Sequence, residues 1–212
     1  MTTAIIGTGN IGSRLAADLI AGGVDLLLAG TDLVGTQVFA EQLGERATAV
    51  TVDQAVDQAD VIIFAVWLDT TKQLLAEYGD RLSGKILVDP SNPIAPAGDG
   101  GFVKTIPADQ SAGQILAALV PANAKLVKAF GTLSAESLGS AARRTPELAV
   151  GFYAADDEAA GKTVAELITA AGFDPIPVGG LDQSIRIEVF GDLHEFGALG
   201  KVVDRAAALA AL

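Results

Sequence analysis

A glycine-rich turn near the N-terminus is the strongest candidate for a ligand site. The turn is Gly7-Thr8-Gly9-Asn10-Ile11-Gly12, and it lies between an apolar strand and a predicted amphipathic helix. Because glycine has no Cβ, its backbone N–H can approach a phosphate closely, and the helix N-terminus adds a favourable dipole. The turn in this context predicts binding of the pyrophosphate of a nicotinamide dinucleotide.

The residues after the second predicted strand bear on which dinucleotide is bound. An acidic side chain there accepts the ribose hydroxyls of NAD, whereas a basic one holds the 2′-phosphate of NADP. The chain has Thr31-Asp32, and Asp32 follows Gly12 at the spacing of about 20 residues expected of an NAD-type carboxylate. Asp32 could equally be a solvated turn residue, and no arginine follows it. NAD and NADP therefore both stay open.

Two further strand ends should face the same crevice, because ligands of doubly wound sheets lie at the carboxyl ends of the strands. They are Ala65-Val66-Trp67 and Asn92-Pro93. Trp67 could flank a nicotinamide or adenine ring, although a tryptophan packed at a strand end is the more common case. The Asn92 amide suits a carboxamide or a ribose, and an Asx turn is its alternative.

One histidine and no cysteine restrict the remaining chemistry. A single imidazole cannot form a metal cluster, so no metal site is expected. His194 is the candidate catalytic residue, since it lies in a polar cluster within an apolar segment and could close an acceptor pocket. The alternative is a structural histidine paired with Asp192 or Glu195.

The elements that must position these residues follow from the alternation of short β-type runs with helical stretches, which is typical of βαβ units. Strands are predicted at residues 3–6, 25–29, 48–52, 61–65, 86–89, 125–129, 148–152 and 175–178. We therefore expect an α/β fold, with a Rossmann-type doubly wound and mostly parallel sheet in residues 1–180. Residues 181–212 should form a short C-terminal helical extension.

Two local features are expected within this framework. Asp53, Asp69 and Asp156 each stand where an N-cap would open a helix. The segment 90–108 carries four prolines and three glycines, so no regular structure is expected there.

Composition limits the partners and the location. The net charge of −12 repels phosphate backbones, so nucleic acid is not an expected partner. No apolar run reaches the roughly 20 residues that a bilayer requires, and no secretory signal begins the sequence. We expect no membrane association and a cytoplasmic location.

The motifs together resemble a known family, the bacterial and archaeal oxidoreductases that pass hydride between NADP and the deazaflavin coenzyme F-420. That family is also similar to the nucleotide domain of six-transmembrane metalloreductases. The resemblance runs through the glycine turn, Val66-Trp67, residues 89–93 and residues 127–135. It implies an NAD(P)-dependent oxidoreductase that uses NADP, with NAD as the alternative, and coenzyme F-420, FMN or FAD as second substrate. Phe130-Gly131-Thr132-Leu133-Ser134 would line the acceptor side.

Hydride transfer between two rings depends on alignment and exclusion of water, so no catalytic triad is required. Two other functions stay open: an NAD(P)H-dependent flavin or ferric reductase, and a non-catalytic dinucleotide-binding redox sensor. The expected partners are a small-molecule redox acceptor and a second copy of the chain in a homodimer, because the terminal helices are apolar. Lys104, Lys128, Arg143 and Arg144 are the candidate cations for the anionic tail of a deazaflavin.

Overall fold

The structure of the protein is a computed structural model, which describes residues 1–98 and 101–212. The strands are β1 (Thr3–Ile6), β2 (Leu26–Ala29), β3 (Ala47–Val50), β4 (Val61–Phe64), β5 (Ile86–Asp89), β6 (Ile94–Pro96), β7 (Phe102–Lys104), β8 (Lys125–Ala129), β9 (Val150–Ala155) and β10 (Asp174–Pro177). The helices are α1 (Asn10–Ala21), α2 (Leu33–Leu43), α3 (Val52–Gln58), α4 (Leu68–Tyr78), α5 (Ala112–Ala117), α6 (Ala135–Ala141), α7 (Glu158–Ala170), α8 (Ser184–Ile187) and α9 (Arg205–Ala211).

The main sheet has eight strands in the order β10-β9-β8-β5-β4-β1-β2-β3. All neighbouring pairs are parallel except β8 and β9, which run antiparallel. In its centre, Ile5 of β1 is in register with Leu28 of β2 and Ile63 of β4. The central strands β1 and β4 are buried along their whole length, which explains their unbroken apolar sequences.

Helices cover both faces of the sheet. Residues of α1, α2, α6 and α7 share one apolar cluster with the sheet, and residues of α3, α4 and α5 share another. A third cluster joins β9 and β10 to the C-terminal residues Ile187, Leu193, Val203 and Ala208. The predicted Rossmann-type, mostly parallel sheet is confirmed, whereas the division into residues 1–180 and 181–212 stays a prediction.

The end of α1 matches its sequence signal. Gly23 adopts a left-handed conformation, with φ of 86°. Its N–H donates to the Ile20 carbonyl, and the N–H of Val24 donates to the Leu19 carbonyl. This is the Schellman pattern that a glycine after a helix favours.

The three aspartates predicted as N-caps do not cap helices. Thr51 caps α3 and Asp157 caps α7, while Asp53 and Asp69 lie within the first turns of their helices. Asp156 instead accepts a hydrogen bond from the N–H of Leu181 at 2.8 Å. The helix dipole also favours an acidic residue in the first turn of a helix. The sequence pattern therefore does not distinguish an aspartate at the N-cap from one in the first turn.

The segment 90–108 contains regular structure, contrary to the prediction. β6 and β7 form an antiparallel hairpin in which Ile94 pairs with Lys104 and Pro96 pairs with Phe102. Both strands of a two-stranded ribbon are edge strands, where a proline without an N–H is tolerated. The proline content therefore did not exclude strands.

The C-terminal part is less helical than predicted. α8 and α9 are short, and residues 188–204 form turns between them. Buried Glu188, His194 and Glu195 bond to other parts of the chain in this stretch, as described below. Among the residues that the structure describes, no helix is long and apolar enough to cross a membrane.

Candidate functional site

The glycine turn leads directly from β1 into α1. Gly7 has a φ of 102°, and its N–H donates to the carbonyl of Ala29 at 2.8 Å. A Cβ on Gly7 would overlap the Ala65 carbonyl oxygen, and a Cβ on Gly12 would overlap the Gly7 carbonyl oxygen. A Cβ on Gly9 would meet nothing within 4 Å. Packing therefore requires the first and third glycines, whereas Gly9 borders open space.

The N-terminus of α1 is available to an anion. Gly9 is its N-cap, no side-chain hydrogen bond caps the helix, and the first turn has no acidic residue. The first N–H groups of a helix have no intrahelical partner, and the dipole favours negative charge there. Together with the open space above Gly9, this arrangement fits the pyrophosphate of a dinucleotide.

The turn after β2 places Thr31 and Asp32 on the surface. Asp32 is the N-cap of α2, and its Oδ1 accepts a hydrogen bond from the N–H of Gly35 at 3.0 Å. Its backbone carbonyl accepts a hydrogen bond from Thr36 Oγ1 at 2.7 Å. Asp32 is thus a helix cap as well as a candidate ribose ligand, and its exposed carboxylate does not decide between NAD and NADP.

The end of β4 places a tryptophan in solvent. Trp67 directly precedes α4, and 56% of its surface is exposed, so it is not packed in a strand-end core. Val66, which directly precedes Trp67, packs against the glycine turn, since a Cβ on Gly7 would meet Val66 Cγ1 at 2.7 Å. The Ala65-Val66-Trp67 turn thus borders the glycine turn, although its contact with a cofactor stays a prediction.

Asn92 connects three segments at the carboxyl end of the sheet. Its Nδ2 donates to the carbonyl of Gly131 at 2.8 Å, and its Oδ1 accepts from the N–H of Val189 at 2.7 Å. Pro93, beside it, is buried. The amide therefore joins the turns after β5 and β8 to the C-terminal part of the chain. Its role as a direct ligand of the cofactor stays a prediction.

The predicted acceptor-side residues after β8 are mostly covered. Phe130, which has a φ of 63°, and Gly131, Thr132 and Leu133 are all buried, and Ser134 is half-buried. Their contact with an acceptor stays a prediction. In the free protein, however, their side chains offer little surface to a ligand.

His194 is fixed by hydrogen bonds at both ring nitrogens. Its Nδ1 accepts from the N–H of Phe196 at 3.0 Å, so the proton must be on Nε2, which lies 3.1 Å from the Gly131 carbonyl oxygen. Burial lowers the pKa of His194 to about 4. At neutral pH the imidazole is uncharged and donates to Gly131.

The two acidic neighbours of His194 have other partners. Asp192 pairs with Arg186 at 2.8 Å. Glu195 accepts hydrogen bonds from the N–H of Ser134 and from Ser137 Oγ, at the start of α6. The structural pairing considered for His194 is therefore with backbone groups and not with either carboxylate.

Sequence reasoning missed a buried group of charges beneath these turns. Lys128 Nζ lies 2.5 Å from Asp89 Oδ2 and also donates to the carbonyl of Ser91. Glu188 lies 3.8 Å from Lys128 Nζ and accepts from the N–H groups of Ala112 and Gly113, at the start of α5. Burial raises the pKa of Glu188. A lysine inside one apolar strand and an aspartate ending another were the available signals.

The candidate cations for an anionic tail have internal partners. Lys128 is 1% exposed and cannot lie at a pocket mouth. Lys104 donates to the carbonyls of Ala108 and Gln110, and Arg144 donates to that of Glu147. Arg143 donates to the carbonyls of Asp18, Ala170 and Ala171, at the C-terminal ends of α1 and α7. The glycine turn lies at the other end of α1.

Among residues 1–98 and 101–212, no group of three or more histidine, cysteine, aspartate or glutamate side chains could hold a metal ion.

The chain is similar to several known proteins. Residues 2–93 match the family described as NADP oxidoreductase, coenzyme F-420-dependent. Metalloreductase STEAP3 of Rattus norvegicus is 30% identical over 184 residues, which cover 87% of this chain and 35% of that protein. This chain thus spans about a third of the length of that relative.

Two solved structures share the fold over most of the chain. The hypothetical protein SMa0349 of Sinorhizobium meliloti has a TM-score of 0.83 and 29% identity, covering 97% of this chain and 96% of that one. A protein of Arthrobacter sp. FB24 assigned as an F-420-dependent NADP reductase has a TM-score of 0.72 and 25% identity, covering 86% of each chain. The predicted family resemblance is confirmed. The family and the relatives are NADP-dependent oxidoreductases or reductases, which is the class of enzyme predicted for this chain.

Proposed function

We propose that the protein binds NADP at its glycine turn and transfers hydride between the nicotinamide and coenzyme F-420 or a flavin. The main support for dinucleotide binding is the open space over Gly9, at the N-terminus of α1, which no side chain caps. A bound pyrophosphate would meet backbone N–H groups there. Relatives described as NADP-dependent and F-420-dependent support the choice of cofactor and acceptor.

The chain's own residues would contribute binding and alignment. When bound, NADPH supplies a hydride: a C–H bond of its nicotinamide breaks, and both electrons pass with the hydrogen to the acceptor ring, leaving NADP⁺. The acceptor takes any further proton from solvent. His194 is neutral and bonded at both nitrogens, so it is not a proton donor for this step. The step needs close, ordered rings more than acid–base chemistry.

NAD stays the alternative cofactor. The Thr31 hydroxyl and the first N–H groups of α2 are polar donors for a 2′-phosphate, but the carboxylate of Asp32 opposes such an anion. The balance between these groups determines the preference.

A second candidate function is an NAD(P)H-dependent flavin or ferric reductase, which the likeness to metalloreductase STEAP3 favours. A non-catalytic redox sensor is the third. We also propose a homodimer and a cytoplasmic location. Half-exposed Leu209 and Leu212 in and after α9 provide apolar surface for a second copy.

Binding and turnover separate these functions. NADPH and NADH are titrated separately, and oxidation of the tighter binder is followed with coenzyme F-420, FMN, FAD and a ferric chelate. Oxidation by coenzyme F-420 or a flavin is expected. Turnover with the ferric chelate alone would favour a ferric reductase. Dinucleotide binding without any turnover would favour the sensor, and the absence of binding would contradict the proposal.

A further inference from the structure

A cleft of about 200 Å³ opens beside the predicted dinucleotide site. One side is formed by Trp67, Leu68 and Asp69 at the start of α4, and the other by residues 94–96 and Thr105 of the hairpin segment. Since ligand pockets commonly exceed about 300 Å³, this cleft suits one end of a ligand better than a whole dinucleotide.

Two consecutive residues, Val66 and Trp67, connect the glycine turn to the cleft. Val66 Cγ1 lies against Gly7 of the glycine turn. Trp67 is the next residue, and it lines the cleft. A dinucleotide that lies over the glycine turn and extends toward β4 would therefore bring its nicotinamide end to the cleft entrance.

The walls have the chemistry of a site for a flat ring. Trp67 is 56% exposed, although an indole gains more from burial or stacking than from water. The hairpin adds the apolar residues Ile94, Ala95 and Pro96 to the lining. Asp69, paired with Lys72 at 3.0 Å, and Thr105 supply a few polar groups. Apolar walls with few polar groups are typical of small-molecule sites.

We propose that this cleft holds the planar ring of the hydride acceptor against Trp67, next to the nicotinamide. The inference rests on the proposed function and locates its second substrate. The acceptor ring would then contact α4 and the hairpin, and not residues 130–133, which are buried.

The test fills the cleft from the hairpin, away from the glycine turn. Ala95→Phe adds a ring on the cleft wall, and Ala76→Phe is the matched control, because Ala76 is exposed on α4 but does not line the cleft. Dissociation constants of coenzyme F-420, FMN and FAD are measured by equilibrium dialysis on the NADP⁺-saturated full chain. Trp67 is the only tryptophan, so quenching of its emission gives a second readout without turnover.

We expect at least one of the three ligands to bind and to quench Trp67. Ala95→Phe should weaken that binding at least about tenfold, while the NADPH dissociation constant changes less than about twofold. Ala76→Phe should behave like the wild type. Wild-type affinity in Ala95→Phe, or no binding of any of the three ligands, would overturn the cleft assignment.

Failure of the proposed function is distinguishable from failure of the cleft. If the wild type oxidises NADPH with an acceptor and Ala95→Phe has an unchanged KM for it, the cleft is wrong and the function stands. If the wild type binds no dinucleotide, the proposed function fails. Acceptor affinities of the wild type and of Ala95→Phe, measured by dialysis without NADP⁺, would then still test the cleft assignment.

Discussion

His194 Nε2 lies 3.1 Å from the carbonyl oxygen of Gly131, and this contact joins the C-terminal part of the chain to the end of β8. The same carbonyl also accepts a hydrogen bond from Asn92 Nδ2. Three segments distant in sequence thus meet at one backbone oxygen, beside the strand ends where ligands of this fold lie.

The titration of His194 should be strongly shifted. Its folded pKa is about 4, below the 6.5 of the unfolded chain. The unfolded state therefore binds more protons between these values. The free energy of unfolding should be highest above pH 6.5 and fall as the pH drops toward 4. The chain has one histidine, so a single imidazole NMR signal reports it. A midpoint near 6.5 would show that the ring is not buried and neutral.

Gly9→Ala should abolish NADPH binding without unfolding the protein. Its Cβ meets nothing within 4 Å in the free protein, but it occupies the space assigned to the pyrophosphate. Gly12→Ala is the contrasting variant, because its Cβ overlaps the Gly7 carbonyl oxygen and should lower the thermal midpoint. Calorimetric titration and thermal unfolding measure both effects. Unchanged NADPH affinity in Gly9→Ala would remove the glycine turn from the site.

Lys128→Met should destabilise the protein by roughly 3–5 kcal/mol, because it leaves Asp89 and Glu188 buried without their cation. Lys125→Met is the matched control on the same strand. Lys125 is exposed and pairs with Asp157 at 3.5 Å, so its loss should cost less than about 1 kcal/mol. Urea unfolding measures both. Equal small losses would mean that the contacts of Lys128 with Asp89 and Glu188 do not stabilise the fold.

Asp32→Ser should shift the cofactor preference toward NADPH. Serine keeps the N-cap of α2 but removes the negative charge that opposes a 2′-phosphate. The ratio of the NADH and NADPH dissociation constants should rise, with little change in stability. Asp32→Ala serves as control, since it removes the same charge and also loses about 1 kcal/mol of capping energy. If the ratio is unchanged in both variants, Asp32 does not contact the ribose.

The glycine turn and the parallel sheet could be predicted because each depends on local sequence. Residues 3–12 contain an apolar strand, a tight turn and a helix start in direct succession. The direct succession of a strand, a Gly-rich turn and a helix is typical of dinucleotide-binding βαβ units, and few other folds require it.

The contacts around the strand ends could not be predicted, because they join residues far apart in sequence. Asn92, Gly131 and Val189 meet through side-chain and backbone atoms that no local pattern pairs. The same holds for Lys128 and Glu188. The hairpin of residues 94–104 was missed for another reason, since proline content was given more weight than the tolerance of edge strands for proline.

Direct hydride transfer is tested most directly with NADPH that carries deuterium at the transferred position of its nicotinamide. Its oxidation by coenzyme F-420 is followed in a single turnover on the full chain, and the reduced acceptor is analysed by mass spectrometry. The account predicts slower oxidation than with unlabelled NADPH, and deuterium on the reduced deazaflavin ring. No oxidation by this or a flavin acceptor, or a reduced deazaflavin without deuterium, would contradict it.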